Sequence, residues 1–223
     1  IRSIVANMET LEGSGNVHTE ERDIASFNEV YLRGSYDVLL RPGTESLQIV
    51  ADDNLLSSIS SETSNDKLTI STLKTARLQP TEKIQVIIGY DDISAINVSG
   101  SCNISSEGVI KGESLKLSNS GFADFKFPID VNELELKIAG SGKSTLTGRA
   151  DEAEYKISGS GKIRNAEVNS NTVAVSISGS GSAHVNAEET LGVSISGSGS
   201  VKYSGKPQLS QSISGSGSIK TLD

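Results

Sequence analysis

Cysteine, tryptophan, histidine and long apolar runs are scarce or missing in this sequence of 223 residues, and each scarcity closes off a class of function. Cys102 is the only cysteine, so neither an intrachain disulfide nor a cysteine-based metal cluster can form. Trp is absent and aromatic residues make up 4% of the chain, too few for a platform on which bases or sugars stack. His18 and His184 are the only histidines, and they do not share a metal-ligand spacing such as His-x-x-x-His. Acids outnumber bases 28 to 20, and the resulting net charge of −8 comes with no basic stripe, which argues against nucleic acid as a partner. No apolar run approaches the length of a transmembrane helix. The chain opens on Ile1 rather than Met, so the expectation is a mature or trimmed product whose targeting segment is missing.

What the sequence has in plenty is one five-residue phrase. It reads Ile138-Ala139-Gly140-Ser141-Gly142, then Ile157-Ser158-Gly159-Ser160-Gly161, then Ile177-Ser178-Gly179-Ser180-Gly181. It returns as Ile195-Ser196-Gly197-Ser198-Gly199 and Ile213-Ser214-Gly215-Ser216-Gly217. Worn copies precede these at Val98-Ser99-Gly100-Ser101-Cys102 and Leu117-Ser118-Asn119-Ser120-Gly121. First positions at 98, 117, 138, 157, 177, 195 and 213 give steps of 19, 21, 19, 20, 18 and 18. A fixed period near twenty marks a solenoid.

Around the phrase, residues alternate apolar and small-polar, as in Val173-Ala174-Val175-Ser176-Ile177, which is the period of a strand. A second short strand follows each phrase, for example Lys162-Ile163-Arg164, Ala183-His184-Val185, Val201-Lys202-Tyr203 and Ser218-Ile219-Lys220. A strand-helix-strand crossover needs about 30 residues or more, so each unit is expected to be one coil of a parallel β-helix. Parallel crossovers dictate a right-handed coil. Stacking predicts an internal column of Ile157, Ile177, Ile195 and Ile213, with Lys162, Lys202 and Lys220 outside. It also predicts a ladder of Ser160, Ser180, Ser198 and Ser216, each hydroxyl able to donate and accept.

The expected organisation is a regular β-helix over 98–223, about seven coils, preceded by an irregular β-rich region over 1–97 that serves as first coils or cap. Strands are expected at Val30-Tyr31-Leu32-Arg33, Leu47-Gln48-Ile49-Val50, Leu68-Thr69-Ile70-Ser71 and Ile84-Gln85-Val86-Ile87-Ile88. Asp52-Asp53-Asn54 predicts the cap of a short helix through Leu55, Leu56 and Ile59. Ile96-Asn97-Val98-Ser99-Gly100-Ser101 matches Val30-Tyr31-Leu32-Arg33-Gly34-Ser35 in pattern. At the far end nothing follows the last phrase that could cap it, which predicts self-association through the C-terminal coil or cover by a partner.

Phe27-Asn28-Glu29-Val30, Gly34-Ser35-Tyr36-Asp37-Val38, Asp53-Asn54-Leu55-Leu56 and the Ser-Gly-Ser-Gly rungs together resemble the family named "putative auto-transporter adhesin, head GIN domain", common in Bacteroidetes. The resemblance runs from about Gly13-Ser14-Gly15-Asn16-Val17 to the end of the chain. It implies a β-helical fold and an exported location, periplasmic, outer-membrane-associated or at the cell surface. The shared motifs are structural, so the resemblance brings no active-site residues with it.

Signs of catalysis are sparse. Gly140-Ser141-Gly142-Lys143-Ser144-Thr145 ends like a phosphate-binding loop, yet Lys137 stands where that motif needs its first glycine. Gly-Ser-Gly lacks the setting of a hydrolase nucleophile, and no residue is singled out as catalytic, cofactor-binding or metal-ligating. Acidic pairs at Asp52-Asp53, Asp91-Asp92, Asp151-Glu152 and Glu188-Glu189 fall in expected turns, where acids are normally solvated. Two functions remain: a non-catalytic envelope module binding a glycan or envelope protein, and a carbohydrate-active β-helix enzyme using clustered carboxylates.

Overall fold

Alternation decides what each stretch becomes. In Val173-Ala174-Val175-Ser176-Ile177 the odd positions are buried and the even ones exposed, so burial of one side of each strand drives the coil closed. The computed structural model describes residues 9–73 and 76–222, and shows a parallel β-solenoid. Each rung has a long strand running into the corner phrase and a short strand leaving it. From Ala95 onward seven rungs stack in chain order, all pairs parallel. The long strands are Ala95–Val98, Ile110–Asn119, Pro128–Ser144, Thr147–Gly159, Thr172–Gly179, Thr190–Gly197 and Gln208–Gly215. The short ones are Ser101–Ser106, Phe122–Lys126, Lys162–Asn165, Ser182–Asn186, Ser200–Ser204 and Ser218–Thr221, with Pro128–Ser144 serving both faces of its own rung. One aliphatic core extends along the interior from Phe27 to Val201.

The N-terminal part is built out of chain order. Glu29–Arg33 and Ser35–Pro42 lie beside Ala95–Val98 and Ser101–Ser106, with Val30 opposite Ile96 and Ser35 opposite Ser101, so the two stretches that share a pattern are neighbours in the stack. Lys67–Thr72 and Gln85–Tyr90, later in sequence, stack outside them as the first rung. The exposed edges of that rung are then covered by antiparallel partners. Ile59–Ser64 pairs with Lys67–Thr72, while Ser46–Asp52 pairs with Gln85–Tyr90 and is itself flanked by Val17–Arg22. These hairpins satisfy the unpaired main-chain groups that a solenoid end otherwise offers to other chains.

The helix expected after Asp52-Asp53-Asn54 shrinks to a single 3-10 turn at Leu56–Ser58, with Leu55 at its cap and no side-chain cap bond. The Asp52 side chain is engaged elsewhere. It is buried, not solvated as its turn setting suggested, and accepts from the Thr81 hydroxyl at 2.6 Å and from the N–H groups of Thr81 and Gly15 at 2.9 Å. These bonds, the Thr81 hydroxyl foremost, hold its carboxyl below the usual carboxylate range.

The opposite end differs. Among the described residues, Gln208–Gly215 and Ser218–Thr221 have a strand neighbour on one side only. Ile157, Ile177 and Ile195 are buried as expected, but Ile213, in register with Ile195, is 41% exposed because no rung covers it. Leu209 beside it in the same strand is 36% exposed.

Candidate functional site

The corner positions fix how the surface is displayed. In the last four phrases the third residue, Gly159, Gly179, Gly197 or Gly215, has φ between 114° and 123°, a region that side chains with a Cβ rarely enter. The fifth has a different reason to be glycine. A Cβ on Gly181 would sit 2.6 Å from Cγ2 of Ile157 in the preceding rung, and Gly199 and Gly217 meet Ile177 and Ile195 in the same way. Corner is bonded to corner through the main chain. The N–H groups of Ser180, Ser198 and Ser216 donate to the carbonyls of Gly159, Gly179 and Gly197 at 3.0, 2.9 and 2.9 Å. The hydroxyls of Ser160, Ser180, Ser198 and Ser216 sit on an exposed ridge instead.

Register corrects one copy of the phrase. Asn119, not Leu117, stands between Val98 and Ile138, so the second unit begins at Asn119 and the first two steps become 21 and 19. Asn119 hid this alignment because it is polar yet buried, donating to Ser141 O at 3.1 Å and accepting from Gly121 N–H at 2.8 Å. Cys102 occupies a fifth position, is 1% exposed, and burial pushes its thiol up to about 11, which suits a small packing group.

Stacking also gathers charges that lie a full coil apart in sequence. On the long-strand face, Lys116, Glu135 and Glu154 form one column, Glu133 and Glu152 a second, Lys137 and Lys156 a third. The first two columns line a shallow depression of about 370 Å³, with the lysines of the third beside it. Lys137 Nζ lies 2.5 Å from Glu135, and Lys156 Nζ 2.6 Å from Glu154. The hydrogen bond from Lys137, with Lys156 and Lys116 adding positive charge, holds the Glu135 carboxyl below its ordinary range. A glycosidase acid needs the opposite shift. Further along, the same face turns to small residues: Ala174, Ser176, Gly192, Ser194, Ser210 and Ser212.

Of the four acidic pairs, Asp151-Glu152 reaches this depression, through Glu152, and the others stay apart from it. Asp91, Asp92, Glu188 and Glu189 are exposed at turns, whereas Asp151 and Glu152 lie within the strand Thr147–Gly159. Among the described residues no three of His, Cys, Asp and Glu gather to hold a metal ion. His18 is exposed, and His184 faces outward between Arg164 and Lys202. The lack of a basic stripe along the sequence does not carry over to the folded surface. Arg164, His184, Lys202 and Lys220 stand in register on the short-strand face, because residues 18 to 20 apart in sequence become neighbours.

Solved structures share this architecture. A "putative adhesin" from Bacteroides fragilis matches with a TM-score of 0.91 and 24% identity over 95% of this chain and 100% of its own. A "putative lipid binding protein" from Parabacteroides distasonis follows at 0.82 and 24%, over 96% of this chain and 100% of its own. A "putative adhesin" from Parabacteroides merdae gives 0.72 and 25%, with the same coverage. No curated protein matches the chain. The sequence profile described as "Putative auto-transporter adhesin, head GIN domain" matches residues 26–207, and the chain belongs to that family.

Proposed function

We propose that this protein is a non-catalytic, exported module of the cell envelope that presents a rigid β-solenoid surface for adhesion or assembly. One observation carries the reading. The rungs stack without interruption around a filled core, so the outer faces form a continuous, pre-organised surface on which binding costs little ordering. Family membership and likeness to adhesins support it. A division near residue 97, between a capping part and the regular repeats that carry most of this surface, belongs to the same proposal; it falls within the strand Ala95–Val98.

The fluorescently labelled protein, titrated onto isolated bacterial envelopes, is expected to bind saturably and to be displaced by unlabelled protein. Absence of saturable binding sinks the reading. The carboxylate depression favours a second reading, cleavage of a polysaccharide. Its signature is release of reducing ends that disappears in Glu133→Gln or Glu152→Gln.

A further inference from the structure

The short strands of the last rungs carry an unneutralised row of positive charge. Register places Arg164, His184, Lys202 and Lys220 in one straight column, and Lys162, Ser182, Ser200 and Ser218 in the next. Ile163, Ala183, Val185 and Val201, the alternating residues between them, are buried, so these columns point outward. Lys162, Arg164, Lys202 and Lys220 are exposed and His184 is half-buried. Neighbouring rungs lie about 4.8 Å apart, which brings the charges close together.

No outward residue of Lys162–Asn165, Ser182–Asn186, Ser200–Ser204 or Ser218–Thr221 is acidic, in a chain where acids outnumber bases. Among the described residues, ion pairs form through Arg22, Arg41, Lys67, Lys83, Lys137, Arg149 and Lys156, none of them in the row. The mutual repulsion registers on His184, whose pKa is lowered by burial and then by Lys202 and Arg164. Like charges directly opposite on adjacent strands destabilise a sheet, and Lys202 and Lys220 are such a pair. The row is therefore a cost to the fold that an anionic ligand would remove.

We infer that this row is a binding track for a single strand of acidic polysaccharide, laid along the solenoid axis with its carboxylate or sulfate groups over Arg164, Lys202 and Lys220. The inference deepens the reading of the chain as a binding module and rests on it. The shape of the track selects the occupant. Beyond the rung of Lys162 and Arg164 the charge is one residue wide, with Ser182, Ser200 and Ser218 on one side and Asn186 and Ser204 on the other, groups that bond sugar hydroxyls. Single-stranded nucleic acid uses aromatic side chains on which bases stack, and a membrane surface uses an apolar face to insert. The outward residues of these strands supply neither: Tyr203 turns in against the core.

The test compares the wild-type chain with a triple variant, Arg164→Ser, Lys202→Ser and Lys220→Ser, in binding sodium polygalacturonate, with neutral dextran as control. Serine already fills the neighbouring column, so the variant keeps the strand pattern, and circular dichroism checks its fold. Wild type is expected to bind polygalacturonate and not dextran, with affinity falling as salt screens the charges. The triple variant is expected to bind about tenfold or more weakly, as loss of several complementary charges predicts, while Lys137→Ser on the other face leaves affinity unchanged. Polygalacturonate binding that survives in the triple variant overturns the inference. So does row-dependent binding that is tighter to single-stranded DNA or to phosphatidylglycerol vesicles. Saturable binding to envelopes without any binding to polygalacturonate overturns the track alone and leaves the module reading standing.

Discussion

The two glycines of one corner are predicted to fail for separable reasons, and a double-mutant cycle separates them. Gly181→Ala places a Cβ 2.6 Å from Ile157 Cγ2, a contact that packed atoms do not tolerate. Overpacking of this kind costs about 1–3 kcal/mol. Gly179→Ala meets a different obstacle: its φ of 119° is strained for alanine, and the new Cβ would lie 2.7 Å from the carbonyl oxygen of Gly159. Strain at such a backbone position costs about 1–3 kcal/mol on its own. Ile157→Leu moves the branch from Cβ to Cγ and so removes the methyl that Gly181→Ala strikes. Urea denaturation followed by far-UV circular dichroism gives the stabilities of the three single and two double variants. The expected coupling between Ile157→Leu and Gly181→Ala is favourable, about 0.5–2 kcal/mol. That between Ile157→Leu and Gly179→Ala is expected near zero. Equal rescue of both alanines, or of neither, refutes the division of labour within the corner.

Other outcomes follow from burial and charge. Ile195→Ala is expected to cost about 2–5 kcal/mol through lost transfer energy and a residual cavity. Ile213→Ala, at the same phrase position but exposed, is expected to cost about 1 kcal/mol, and denaturation midpoints decide between them. Lys202→Ala, at an exposed position, is expected to change stability by less than about 0.5 kcal/mol, and in the stabilising direction, because it relieves repulsion from Lys220. Asp52 gives a pH dependence: its folded-state pKa is lowered, so its stabilisation is present above the unfolded carboxylate value and lost as pH falls through the folded one. The stability gap between wild type and Asp52→Asn, read by thermal unfolding, is therefore expected at neutral pH and to close on acidification. Self-association through the final rung is checked by light scattering across a concentration series. Association abolished by Ile213→Lys supports it, and a strictly monomeric chain rejects it.

The solenoid was legible because its constraints are local and repeated. Alternation around Val173 to Ile177 and the recurring Gly-Ser-Gly corner each act within one coil, so they show in a short window of sequence. The pattern shared by Val30 to Ser35 and Ile96 to Ser101 likewise shows in the sequence, and it falls on strands that stand side by side. What stayed hidden was non-local. The stacking of Lys67–Thr72 outside Glu29–Arg33 depends on hairpins closing over the first rung, and no local pattern encodes that order. Asp52 looked like a helix cap because its partners, Gly15 and Thr81, come from distant loops. The surface charges fall between these cases. Lys116, Glu135 and Glu154 recur at steps of 19, and Arg164, His184, Lys202 and Lys220 at 20, 18 and 18, the step of the glycines themselves. Sorting charges by that period, rather than searching for contiguous runs, brings both faces out of the sequence.

A binding track, unlike an active-site cleft, holds an acidic glycan without cutting it. The most direct measurement is size-exclusion chromatography of fluorescent polygalacturonate after prolonged incubation with the protein. Co-elution of the polymer with the protein at low salt, and recovery of the polymer at its original length once high salt releases it, is the predicted result. Polymer shortened by the incubation, or polymer that never travels with the protein, contradicts it.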